Sequence, residues 1–189
     1  MIRFLLAASL ALGALSAAAQ ETAPDAEPEA QPPDEIYGEA PMTLARLDEI
    51  IRALDPEAQT NGRAWQLSIN DVQVMIITDE TADRMRAITP VRKIEEMSQE
   101  DITRVLQANF DSALDARYAI AKDVLWSAFI HPLKALEKDE FISGLGQVVN
   151  LAQSYGTLYS GGALQYGGGD SGALQRQLID DLLKKGQEI

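Results

Sequence analysis

The sequence contains no cysteine, a single histidine and few aromatic residues (6%), and its 16 Lys and Arg are outnumbered by 29 Asp and Glu. Each shortage excludes a class of chemistry. Without cysteine there is no disulfide, no thiol nucleophile, no Cys–His pair and no lipid-modified N-terminal Cys, so a fold in an oxidising compartment must be held by packing alone. A zinc site needs several His or Cys ligands, and His131 cannot supply it. His131 stands immediately before Pro132, and no Gly-x-Ser-x-Gly elbow exists to partner it in a Ser-His-Asp triad. It therefore reads as a structural residue at a strand end. The glycine runs Gly161-Gly162 and Gly167-Gly168-Gly169 lack the lysine and the strand-to-helix context of a phosphate loop. The stretch Thr78 to Asp83 gathers carboxylates but lacks the glycine and the terminal bidentate Glu of a calcium loop, so it reads as an exposed turn. A net charge of -13 excludes nucleic acid as a partner and disfavours an anionic membrane surface. No catalytic residue, metal ligand or cofactor is nominated, and the expectation is a non-enzymatic protein. The alternatives are a small-ligand sensor with a pocket between sheet and helices, or a hydrolase using a carboxylate pair or His131.

What is present points to one folded domain with attachments. Its 189 residues, 46% of them hydrophobic, are enough to bury one core. Met1-Ile2-Arg3 gives a positive start, Phe4 to Leu15 an apolar run short for a bilayer, and Ala17-Ala18-Ala19 the small residues of a cleavage site. Residues 1–19 are thus expected to be a signal peptide cut after Ala19, leaving a periplasmic or secreted protein with no stable membrane insertion. Residues 20–42, dense in Pro, Ala and acidic side chains, have almost nothing to bury and are expected to form a disordered tether. A domain over 43–159, a glycine-rich linker over 160–172 and an amphipathic helix over 173–189 follow.

Within the domain, Thr43 is a plausible N-cap for a helix with Leu44, Leu47, Ile50, Ile51 and Leu54 on one face, ended at Asp55-Pro56. A polar connection leads to a strand over Trp65 to Ile69. Asn70-Asp71 is a two-residue turn candidate before a strand over Val72 to Ile77. A third strand, Arg84 to Val91, is expected to stop near Pro90, and Arg84, Arg86, Arg92 and Lys93 make the most basic local patch, read as a solvated strand face. Ser98 caps a helix carrying Ile102, Val105, Leu106 and Phe110 on one face. Leu114 to Ala121 and Val124 to His131 alternate as two strands turned by Lys122-Asp123. The second is apolar on both faces, so it should lie inside the sheet or be covered by helices on one side and a partner on the other. Phe141 to Tyr155 forms a third helix whose interior glycines, Gly144 and Gly146, imply close backbone approach, either to the chain's own sheet or to a second subunit. In the C-terminal helix the apolar residues are Leu174, Leu178, Ile179, Leu182 and Leu183.

The predicted order is α-βββ-α-ββ-α, an α+β fold with an antiparallel sheet. This order, with ALDARYAIAKDVLWSAFIHPL followed by EFISGLGQVVNLAQSYG, resembles the YbjN family of bacterial sensory transduction regulators, whose fold is similar to that of type III secretion chaperones. The resemblance covers roughly Thr43 to Tyr159 and implies a compact module, able to form a homodimer, that binds another polypeptide or regulates a pathway. This chain departs from cytosolic chaperones in its export signal, acidic tether and glycine-linked last helix. The candidate protein-binding surface is a sheet face carrying Trp65, Trp126 and Phe129, together with Leu145 and Val149 of the third helix.

Overall fold

The computed structural model describes residues 39–111, 113–156 and 173–187. The expected signal peptide, the tether up to residue 38 and the glycine-rich linker lie outside the described residues, as does the side chain of Leu174. In chain order the elements are α1 (Leu44–Leu54), β1 (Gln59–Thr60), β2 (Ala64–Ile69), β3 (Val72–Asp79), β4 (Arg84–Lys93), a 3-10 turn (Ile94–Glu96), α2 (Gln99–Asp111), β5 (Arg117–Ala121), β6 (Val124–His131), α3 (Lys138–Ser154) and α4 (Ala173–Gly186). The strands make one antiparallel sheet in the order β1-β2-β3-β4-β6-β5, which places β6 in its interior. The α+β class and the alternation of helices and strands are those expected.

Local chemistry explains most boundaries. Thr43 Oγ1 accepts the Arg46 N–H at 3.1 Å, capping α1. At the other end the Asp55 carboxylate accepts the N–H of Glu57 at 3.0 Å and that of Ser68 at 2.8 Å, tying the end of α1 to β2. Ser98 and Asp101 cap α2 reciprocally: Ser98 Oγ accepts the Asp101 N–H at 3.1 Å, and Asp101 Oδ2 accepts the Ser98 N–H at 2.9 Å. Those bonds from Ser98 hold the Asp101 carboxyl below its ordinary range. Asn70 and Asp71 both have positive φ, 49° and 65°, as a type I′ hairpin turn requires. Lys122 and Asp123 repeat that turn at 51° and 58° with less suitable residues, since a lysine carries no local compensation for the left-handed region.

Four boundaries differ from the sequence reading. The folded region starts before Thr43: Met42 is buried, and its N–H reaches the Lys134 carbonyl at 3.2 Å. The polar connection before β2 contributes β1, paired through Gln59 and Thr60 to Gln66 and Trp65. β4 runs through Pro90 to Lys93, pairing with β6 across a register shift between Pro90 and Arg92. Extending the β3–β4 register sets Gln73 opposite Pro90, which has no N–H, and Thr89 Oγ1 donates to the Gln73 carbonyl instead, at 2.7 Å. β5 begins at Arg117 rather than Leu114, because the Asp115 and Ala116 N–H groups are taken by the side chain of Gln147 on α3, at 2.7 and 3.0 Å.

Helices α1, α3 and α4 build the layer on the inner face of the sheet, and α2 lies against the β5 edge. α3 is buried nearly all round, from Phe141 to Leu151, because it has the sheet beneath it and α4 above. Its glycines answer the question of close approach. A Cβ on Gly144 would overlap the Phe129 ring on β6, coming within 2.8 Å of Cγ, and one on Gly146 would come within 2.7 Å of Ile179 Cγ1 on α4. α4 therefore docks on its own domain, with Ile179 and Leu182 buried, and Lys185 Nζ donates to the Leu54 carbonyl at the end of α1 at 2.6 Å. Trp65 pins α1 to the sheet: its indole N–H donates to Asp48 Oδ1 at 2.7 Å, and that bond together with Arg52 holds the Asp48 carboxyl low.

Candidate functional site

The nominated surface divides between two sides of the sheet. Trp65 and Phe129 point inward and are buried, and Leu145 and Val149 are fully enclosed in α3, so these four are core residues and not a docking surface. Only Trp126 lies on the outer face, half-buried, with its indole N–H on the Ala121 carbonyl at 2.9 Å. The correction follows from strand geometry: residues 126 and 129 are an odd number apart, and alternate side chains leave a strand on opposite faces.

The outer face is built from the side chains that alternate with the core. Cross-strand register puts Gln66, Met75, Ile88, Ala128 and Arg117 in one row and Ala64, Ile77, Arg86 and Ile130 in the next, with Pro90, Trp126 and Ala119 in a third. Met75 is 37% exposed, Ile77 39% and Ile130 56%. Neighbouring strands lie about 4.8 Å apart, so Met75 and Ile77 join Ile130 through half-buried Ile88 and Ala128, around Arg86, which stands between Ile77 and Ile130. The sequence signal for it was available in two places. β6 is apolar on both faces, and β3 carries the same pattern, with Val74 and Ile76 inward and Met75 and Ile77 outward.

At one corner of this face Arg63, Arg84 and Arg86 surround an open depression of 620 Å³ together with Ile77, Asp79 and Glu80. Arg84 is positioned by a 2.7 Å bond to the Asp83 carbonyl, and Asp79 Oδ1 is engaged by the Ala82 N–H at 2.9 Å. The basic stretch of the sequence is thus two separate sites. At the far end of β4, Arg92 pairs with Glu96 at 3.3 Å and lies over the Tyr155 ring, and Lys93 pairs with Glu95 at 3.4 Å. Arg63, which completes the corner, sits 21 residues before Arg84 and is brought there by β2–β3 pairing: its carbonyl accepts both the N–H and the hydroxyl of Thr78, at 3.0 and 2.9 Å.

Both edges of the sheet are blunted. β1 is two residues long. On β5 the Asn109 amide occupies the backbone of Tyr118, accepting its N–H at 2.7 Å and donating to its carbonyl at 3.0 Å, much as a neighbouring strand would. Strand addition is thereby disfavoured at either end, and the face remains. A second apolar exposure lies on α2. Val105 and Ala108 turn inward, whereas Leu106 and Phe110, expected on the buried face, are 61% and 76% exposed.

His131 ends β6 stacked on Phe129, with Nδ1 2.9 Å from the Pro132 carbonyl oxygen and Nε2 3.8 Å from Glu140 Oε2. A depression of 590 Å³ beside it is lined by Asp115, Arg117, Asp139, Glu140 and Ser143, but the Ser143 hydroxyl receives the Gln147 amide at 3.3 Å. Among the described residues no three His, Asp or Glu side chains gather as metal ligands, and no helix is long and apolar enough to cross a membrane.

No protein-family model matches the chain, and no curated protein does. Two solved structures are similar over part of the chain. A chain from the crystal structure of the Yersinia pestis type III secretion chaperone SycH in complex with a stable fragment of YscM2 is 21% identical, with a TM-score of 0.47 over 60% of this chain and 99% of that one. A chain from the HopA1–SchA chaperone–effector complex is 13% identical, with a TM-score of 0.44 over 58% and 88%. At such scores the likeness carries no argument, and the fold and chemistry of this chain rest on its own elements and surfaces.

Proposed function

We propose that this chain is a non-enzymatic polypeptide-binding module that uses the outer face of its sheet. The observation that carries the reading is the contiguous exposure of Met75, Ile77 and Ile130 beside half-buried Ile88, Trp126 and Ala128 on a face that none of the described helices covers. Apolar surface of this kind, rimmed by charge, marks an interaction site. The closed edges favour contact through side chains over strand addition.

Trp126 provides the assay, because it lies on the outer face while Trp65 is buried in the core and gives a constant background. Titration of the unaltered chain with a reduced, permanently unfolded carrier polypeptide that lacks tryptophan is expected to shift Trp126 emission saturably. Ile130→Asp, at an exposed position, is expected to weaken that binding by about tenfold or more while far-UV circular dichroism stays unchanged. No saturable shift, or equal binding by the Ile130 variant, sinks the reading.

The same proposal places the module outside the cytoplasm. It is supported by the positive start, the apolar run and the Ala17-Ala18-Ala19 site, and mature protein recovered from a periplasmic or culture fraction is expected to begin at Gln20. An N-terminus at Met1 would contradict it. The YbjN resemblance belongs to this reading as well, supported by the order α-βββ-α-ββ-α that the described residues show once the two-residue β1 and the last helix, α4, are set aside.

A further inference from the structure

The geometry points to a partner that is acidic as well as apolar, its carboxylates seated on Arg63, Arg84 and Arg86 at the corner of the outer face. This rests on the binding face proposed above and specifies what it selects. In a chain with 29 acidic and 16 basic side chains, arginines are surrounded by carboxylates, and four of the six other arginines among the described residues pair with one, the exceptions being Arg117, which bonds backbone carbonyls, and Arg176. Arg46 pairs with Glu49, Arg52 with Asp48, Arg92 with Glu96 and Arg104 with Glu100. Around the corner depression the three arginines form no ion pair among the described residues, although Asp79 and Glu80 line the same space. Asp79 is spent on its own turn, and Arg84 is anchored through a backbone carbonyl that leaves the rest of its guanidinium fork available.

The apolar and cationic groups are also interleaved. Ile77, Arg86 and Ile130 are direct cross-strand neighbours on the outer face, so an apolar, a cationic and an apolar side chain follow one another over two strand spacings, about 10 Å. A polypeptide crossing this row satisfies it with a carboxylate flanked by apolar side chains. Guanidinium forks bind carboxylates in bidentate geometry, which adds direction to charge. The negative charge of the rest of the chain does not oppose this at contact, since exposed charges more than about 8 Å apart are largely screened at physiological ionic strength.

The test compares three labelled peptides of equal length, in which leucines separated by serine alternate with Glu, Gln or Lys. Fluorescence anisotropy with the full chain is expected to show the Glu peptide binding about tenfold tighter than the Gln peptide, with the Lys peptide weakest. Raising the salt concentration should narrow the gap. The double variant Arg84→Ser, Arg86→Ser is expected to lose that tenfold preference, its affinity for the Glu peptide falling to that for the Gln peptide. Equal affinity for Glu and Gln peptides, tightest binding of the Lys peptide, or an undiminished preference in the arginine variant overturns the proposal. So does light scattering that shows a two-chain species dispersed by Ile130→Asp, which would assign the face to a second copy. If the unfolded carrier still shifts Trp126 while no peptide discriminates by charge, the acidic preference falls and the binding face stands. If the carrier fails as well, both fall.

Discussion

Gly144→Ala is expected to destabilise the fold by about 1–3 kcal/mol, despite the gain of about 1 kcal/mol that alanine normally brings to a helix interior. The added methyl group would meet the body of the Phe129 ring, within 2.8 Å of Cγ, and Phe129 is itself buried between β6 and α3. A ring held at its Cγ cannot swing away as the end of a flexible chain would, so either α3 lifts or the ring leaves its rotamer. Urea denaturation would show a lowered midpoint with the slope unchanged. Combining the change with Phe129→Leu should recover part of the loss, a non-additivity expected of residues in direct contact. A Gly144→Ala protein as stable as the parent, or more so, would mean that α3 does not sit this close to the sheet.

Gln147→Leu is expected to cost about 2–5 kcal/mol. Gln147 is a buried amide whose Oε1 accepts two successive backbone N–H groups, those of Asp115 and Ala116, and whose Nε2 reaches Asp115 Oδ2 at 3.1 Å. Leucine has a comparable volume, so no large cavity is made. The loss is that of donors left without partners where Ala116 is fully buried, at about 1–3 kcal/mol for each unsatisfied group. Hydrogen exchange at Ala116 should accelerate with the global opening of the fold, and thermal unfolding should occur at lower temperature. A change below about 0.5 kcal/mol would mean that these N–H groups reach water.

The sequence made some of this visible because the signals are local. Asn70-Asp71 announces its turn through backbone angles that these two residues tolerate, and Ser98 with Asp101 announces the start of α2 through a cap closed within four residues. Whether a residue is core or contact was not local. Trp65, Phe129, Leu145 and Val149 are as apolar as any docking residue, and only the position of α1 and α3 on one face determines that they are enclosed. Leu106 and Phe110 follow helical spacing, yet α2 meets the sheet only at the β5 edge, too narrow a contact to cover the whole apolar stripe. Gln147 gave no signal, because its role depends on two N–H groups 31 and 32 residues earlier in the chain. Pro90 misled for a related reason: its missing N–H is offset by the hydroxyl of the residue before it.

The docking of α4 bears on when the fold can complete. A chain is made N-terminus first, and α1, β2 and β3 are all available early. α3 cannot be enclosed until α4 covers Gly146, and the carbonyl at the end of α1 waits for Lys185, 131 residues later. Closure of the domain is thus deferred to one of its last segments, and before then the chain holds its central helix with one side open. Such a late clasp keeps the emerging chain loose until α4 has been made.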